Sequence, residues 1–118
     1  MTMQPNTNEV NLENQGTLTV LVIKGDITAF SEVPLGQAYQ EASERGADRV
    51  VLQIGKEAYI NSGGIAVLIQ ILAKARRSTQ RVAITGISEH FKKIFKMVGI
   101  TKFADIFNST EDAIQALK

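Results

Sequence analysis

Val50-Val51-Leu52-Gln53-Ile54, then Tyr59-Ile60-Asn61-Ser62-Gly63-Gly64-Ile65, is the stretch from which the rest of the chain can be read. The first run is short, β-branched and almost wholly apolar, the pattern of a strand buried on both faces. Past the second run, Ile65, Leu68, Ile69 and Leu72 follow the i, i+3, i+4, i+7 spacing of one helix face. A strand therefore gives way to a helix near residue 62. Asn61 and Ser62 stand where a side-chain oxygen accepts from an unpaired first-turn N–H. Gly63 and Gly64 put no bulk beside Ser62, so its hydroxyl is expected to be exposed at the positive end of a helix dipole. Capping a helix is the ordinary role of such residues, and it is the baseline for any functional reading.

Working outward toward the N-terminus, Arg49–Ile54 is the core strand, and Gly46 before it reads as a left-handed helix stop. Leu35, Ala38, Tyr39 and Ala42 form a helical stripe, with Ser31 as its expected cap and Glu32 in its first turn. Ile27-Thr28-Ala29-Phe30 reads as a loop or short extended piece after the break at Lys24-Gly25-Asp26. Thr17–Ile23 and the alternating Val10 and Leu12 make a hairpin, with Asn14-Gln15-Gly16 as its turn. Residues 1–8 are polar and read as a disordered leader, leaving 9–118 as one domain.

Toward the C-terminus, a helix from about Gly63 to Arg77 is followed by a strand at Arg81–Thr85. A second helix begins at Ser88-Glu89, with Phe91, Ile94, Phe95 and Val98 as its stripe and Gly99 as its stop. A short strand around Ala104–Phe107 precedes a last helix, capped by Asn108 or Ser109, whose inner face is Ala113, Ile114 and Leu117. The alternation predicts an α/β fold: a small mixed sheet, antiparallel in its opening hairpin and parallel afterwards, packed with about four helices.

Composition narrows the function. The chain has 118 residues, 44% of them hydrophobic, with no cysteine, no tryptophan and one histidine, His90. Disulfides and thiolate metal sites are excluded, and no metal-ligand constellation is visible. No run reaches the ~18 apolar residues of a membrane span. The N-terminus lacks the layout of a signal peptide, so the cytoplasm is the expected location. Net charge is +1, but Lys74, Arg76, Arg77, Arg81, Lys92, Lys93, Lys96 and Lys102 face only Glu89 within 74–102. No aromatic residues interleave with these cations as single-strand binders require, so direct nucleic-acid binding is not expected.

Sites in α/β sheets form where strands end and helices begin. Gly25–Ser31, Gly55–Ser62 and Gly86–Glu89 are such loops. If the middle strands are adjacent, Asp26, Thr28 and Asn61-Ser62 cluster. A nucleophilic Ser62 needs a base within reach. His90 reads as an exposed helix residue, the Gly-x-Ser-x-Gly elbow is absent, and no phosphate-cradling lysine loop exists. No cofactor is called for, and the chain reads as a non-enzyme. What remains is a hydroxyl open to modification. A phosphoryl group there would bring about two negative charges to a helix N-terminus, which favours them.

The run Ile60-Asn61-Ser62-Gly63-Gly64-Ile65-Ala66-Val67-Leu68 after Val50-Val51-Leu52, with Gly86-Ile87-Ser88-Glu89 and Phe95-Lys96-Met97-Val98-Gly99-Ile100 later, resembles the STAS domain of bacterial anti-sigma-factor antagonists over about residues 9–118. The resemblance implies a domain that binds an anti-sigma-factor serine kinase and so releases a sigma factor. Phosphorylation of the motif serine, here Ser62, would break the complex, and a serine phosphatase would restore it. It also implies partner contacts at Ile27, Thr28, Ala29 and Phe30, and at Tyr59, Ile60, Asn61, Ser62, Gly63, Gly64 and Ile65. Two positions depart from the family: Asn61 stands where Asp is usual, and Gly25-Asp26-Ile27-Thr28 replaces Gly-Glu-Leu-Asp. Both remove a carboxylate near Ser62. The alternative implied is a non-catalytic STAS subunit of a stress-signalling scaffold or lipid-transport complex. Monomer and weak dimer are both compatible with the sequence.

Overall fold

The computed structural model describes residues 8–118. Five strands, β1 Glu9–Gln15, β2 Leu18–Lys24, β3 Arg49–Ile54, β4 Arg81–Thr85 and β5 Asp105–Phe107, lie side by side in chain order. β1 and β2 are antiparallel, and every later pairing is parallel. The helices are α1 Glu32–Glu44, α2 Ser62–Arg77, α3 Glu89–Met97 and α4 Thr110–Leu117. The expected mixed sheet with four helices is the fold observed.

Alternation along the strands divides the core. Leu21 and Ile23, Val50, Leu52 and Ile54, and Val82 and Ile84 face α1, α2 and α3, whose Leu35, Tyr39, Leu68, Leu72, Phe91 and Phe95 cover them. Leu18, Val20, Val51 and Ala83 face the other way, against Ala113 and Leu117 of α4. Both faces of the middle strands are thus dry, as the near-continuous apolar run of β3 requires. Gln53, the polar exception, accepts from the Thr110 hydroxyl at 2.6 Å and is satisfied. Across the first layer, the buried Tyr39 hydroxyl donates to the side-chain Oε1 of Gln80, whose Nε2 donates to Ala47 O at 2.8 Å.

Several local expectations need correcting. The hairpin strands run on until Gln15 pairs with Leu18, which leaves Gly16 and Thr17 for the turn rather than Asn14–Gly16. Residues 29–31 form one 3-10 turn, not an extended piece. Ser31 does not cap α1 with its side chain. The buried stripe of α2 is Gly64, Val67, Leu68, Ile71, Leu72 and Ala75, while Ile69 is exposed. The leader expected over 1–8 lies outside the described residues except for Asn8. That residue is buried and donates through Nδ2 to Lys24 O at 3.0 Å and Asp26 O at 2.9 Å.

Candidate functional site

β2 and β3 are neighbours and parallel, so the loops that follow them leave the sheet at one end. They are stitched together there. Ile27 and Ile60 form an isolated parallel bridge: the Ile27 N–H donates to Tyr59 O at 2.9 Å, and the Asn61 N–H donates to Ile27 O at 3.2 Å. Asp26 adds a side-chain tie, its Oδ1 accepting from the Tyr59 N–H at 2.9 Å. The clustering of Asp26, Thr28 and Asn61-Ser62 anticipated for adjacent strands is therefore present. Asp26 is more than a turn residue, because it fixes the loop that delivers Ser62.

The start of α2 is set by Asn61, whose Oδ1 accepts from the Gly64 N–H at 2.9 Å. The two glycines have a steric reason. A Cβ on Gly64 would lie 2.0 Å from Ile27 O, and one on Gly63 would lie 2.9 Å from Ala29 N. The first turn of α2 is pressed against the backbone of 27–29, and only glycine permits that approach. On the other side of the contact, Thr28 holds the 3-10 turn: its Oγ1 accepts from the Phe30 N–H at 3.1 Å, and Ser31 Oγ accepts from the Thr28 N–H at 3.0 Å.

Ser62 occupies the first helical position and is exposed. Among the described residues its hydroxyl enters no side-chain hydrogen bond, and the first turn of α2 carries no acidic residue. The hydroxyl thus sits at the positive end of a sixteen-residue helix with no carboxylate of that helix answering the dipole. Large apolar side chains are exposed on the two loops and on α2. Phe30 is 61% exposed and Tyr59 60%. Ser62, Ala66 and Ile69, at i, i+4 and i+7, share one exposed stripe of α2. Ile27, Ile60 and Gly64 are buried beneath this face, and Thr28, Asn61, Gly63 and Ile65 are half-buried. Ala66 was not singled out as a surface residue in the sequence, and Ile69 was expected on the buried face. The rotation of the α2 stripe is what exposes them.

The third loop, Gly86–Glu89, ends at the same edge of the sheet. His90 is exposed, and its ring stands 5.0 Å from that of Phe91, which meets Tyr59 edge-on at 6.0 Å. Among the described residues no hydrogen bond links His90 to Ser62, and no group of His, Asp or Glu side chains is arranged to hold a metal ion. No helix of the described residues is long and apolar enough to cross a membrane.

A family model described as Mlab, STAS domain, matches residues 10–107. The chain belongs to the STAS family. Its curated relatives include BtrV of Bordetella bronchiseptica, provisionally named an anti-sigma factor antagonist, which is 23% identical over 101 residues, 86% of this chain and 87% of that one. Among solved structures, an anti-sigma factor antagonist from Mycobacterium paratuberculosis superposes with a TM-score of 0.79 at 16% identity, covering 98% of this chain and 97% of that one. The Bacillus cell fate determinant SpoIIAA in its phosphorylated form gives 0.67 at 16% identity, covering 93% and 100%.

Within this STAS domain the two departures from the family pattern become intelligible. Asn61 caps α2 through a side-chain oxygen, as Asp would, with one charge fewer. Thr28 likewise supplies a neutral capping oxygen, accepting from the Phe30 N–H. Both side chains cap through a neutral oxygen and so add no negative charge near Ser62.

Proposed function

We propose that this STAS domain is an anti-sigma-factor antagonist that binds an anti-sigma-factor serine kinase, thereby releasing a sigma factor, and that reversible phosphorylation of Ser62 switches the complex. One observation carries the reading: an exposed serine hydroxyl at a helix N-terminus without a first-turn carboxylate, on a helix and loops that also expose Phe30, Tyr59 and Ile69. These exposed apolar side chains offer the desolvated centre that a protein interface needs. A phosphoryl group would place about two negative charges in that centre, favoured by the dipole yet hostile to an apolar partner surface. The domain stays folded while the interface is lost. Phe30, Tyr59, Ser62 and the half-buried Thr28, Asn61, Gly63 and Ile65 make contact. Ile27, Ile60 and Gly64 act from beneath by shaping the loop. Names of relatives support the class of function, and the phosphorylated form of SpoIIAA supports a phosphoryl switch on this fold. The chain itself is non-catalytic in this reading, the kinase and a serine phosphatase supplying the chemistry in the cytoplasm.

The test is incubation with ATP and an anti-sigma-factor serine kinase from the same organism, followed by intact mass measurement and pull-down. One phosphoryl group on the wild type, none on Ser62→Ala, and loss of kinase capture by Ser62→Asp are expected. Undiminished phosphate incorporation in Ser62→Ala removes Ser62 from the mechanism. The family match covers STAS domains of the Mlab description, which favours a second reading: a static docking subunit of a stress-signalling scaffold or lipid-transport assembly. Capture of transport proteins that survives Ser62→Asp would select it.

A further inference from the structure

The amino ends of the parallel strands form the opposite end of the molecule from Ser62, and four cations that have no carboxylate partner among the described residues lie there. Arg81 opens β4, Arg76 and Arg77 lie in the last turn of α2, and Lys102 lies in the 3-10 turn Ile100–Lys102. Two adjoining grooves of about 250 and 160 Å³ share Gln80, Lys102 and Phe103. Arg81 and Asp105 line the larger, and Arg76 lines the smaller. Among the described residues none of Arg76, Arg77, Arg81, Lys96 and Lys102 has a carboxylate within 4.0 Å, whereas Arg45, Arg49, Lys24 and Lys92 each do. Compensation of the α2 dipole explains Arg76 and Arg77. It does not explain Arg81 or Lys102, which belong to other elements.

Nor does it explain the apolar surface beside them. The segment leading into the groove leaves Met97 83% exposed, with Val98 and Phe103 also open to solvent. Cations interleaved with exposed apolar side chains complement a ligand that is both acidic and apolar. We propose that this groove docks an acidic, partly apolar peptide segment of a partner protein, at a site separate from Ser62.

Geometry favours a peptide over the other anionic partners. The Arg76 guanidinium sits 5.2 Å above the Phe103 ring, so that face of the ring is taken and does not stack a nucleobase. Arg76, Arg81 and Lys102 line recesses that take individual side chains of a peptide better than a flat bilayer. Asp105 at the rim sets direction, because an acidic segment must pass it with an uncharged or basic residue.

The probe is a fluorescein-labelled peptide of alternating glutamate and leucine, titrated against the whole chain, with amide shifts recorded by NMR. Saturable binding that weakens with salt is expected, with shifts centred on Arg76, Arg81, Lys102 and Phe103. The double substitution Arg81→Glu, Lys102→Glu is expected to weaken it at least about tenfold. Ser62→Asp leaves it unchanged. If the double variant does not fold, Arg81→Gln and Lys102→Gln taken singly serve in its place. Absence of binding, equal binding by the variants, or shifts centred on Phe30 and Tyr59 would overturn the proposal. So would tighter binding of a single-stranded oligonucleotide or of phosphatidylglycerol vesicles than of the peptide.

Discussion

The start of α2 differs from the starts of the other helices. α3 begins with Ser88 accepting from the Phe91 N–H at 3.2 Å and Glu89 in the first turn; α4 begins with Ser109 accepting from the Asp112 N–H at 3.0 Å and both Glu111 and Asp112 in the first turn. α1 has Glu32. Each of these ends carries its own answer to the dipole. α2 has a cap, Asn61, and then Ser62-Gly63-Gly64, with no charge. It is held instead by close backbone packing against Ile27 and Ala29. Three helices are electrostatically finished by their own sequence, and the fourth is fixed by shape and left open to an added charge. That separation of shape from charge is what a modification switch requires, since the charge can come and go while the loop stays in place.

Breaking the shape should have the largest effect. A Cβ on Gly64 would fall 2.0 Å from a backbone oxygen that cannot swing aside, so Gly64→Ala must push α2 from the 27–29 segment. Overpacking of this kind costs about 3 kcal/mol, or a Tm lower by roughly 10–15 °C for a domain of this size. Gly36, in the middle of α1, has nothing within 4 Å of its missing Cβ. Gly36→Ala is expected to raise stability by about 0.5–1 kcal/mol. Thermal melts of the two variants check the pair, and equal shifts would mean that the glycines of α2 are not there for close approach.

The cap comes next. Asn61→Ala removes the acceptor for the Gly64 N–H and is expected to cost about 1 kcal/mol, much as Ser88→Ala would at α3. Asn61→Asp keeps the acceptor and adds the missing carboxylate. It should hold or slightly raise Tm while slowing phosphorylation of Ser62, because a negative charge then faces the incoming phosphoryl group. Urea melts and kinase time courses on the three proteins separate the two effects. An Asn61→Asp protein that is phosphorylated faster would show that the kinase reads the carboxylate.

The order of elements was legible because strand and helix periods alternate cleanly and Gly46 and Gly99 punctuate them, at φ +88° and +86°. The candidate site was legible as two loops and a hydroxyl. Its supports were not. Leu68 and Leu72 belong both to the expected stripe with Ile65 and Ile69 and to the observed one with Val67 and Ile71, so periodicity alone could not choose the rotation. The choice is made by Gly64, which presses one edge of the helix onto Ile27. Asp26 reaches Tyr59 across 33 positions of sequence, a tie that no local pattern encodes. Ser31 looked like a cap because of its place before Glu32, yet its hydroxyl accepts from Thr28 instead.

The smallest expected effect compares charge at the two helix starts directly. Ser62→Asp puts a carboxylate at the bare end of α2 and is expected to stabilise the domain by about 0.3–1 kcal/mol at neutral pH and low salt. Glu89→Gln removes one from α3 and should act in the opposite direction. The Glu89 carboxyl is held below its ordinary 4.5, chiefly by the hydrogen bond from the Lys92 ammonium at 2.7 Å. A carboxyl with a depressed folded value binds fewer protons folded than unfolded, so its contribution is complete above pH 4.5 and drains away as pH falls through the lower folded value. The same sign applies to the carboxylate introduced by Ser62→Asp. Melting curves from pH 7 to pH 2 should therefore show the wild type converging with Glu89→Gln from above and with Ser62→Asp from below. Both gaps should also narrow with added salt. A gap at Ser62→Asp that persists in acid would mean the substitution acts through packing and not through charge. The end of α2 would then be unsuited to hold a phosphoryl group by its dipole.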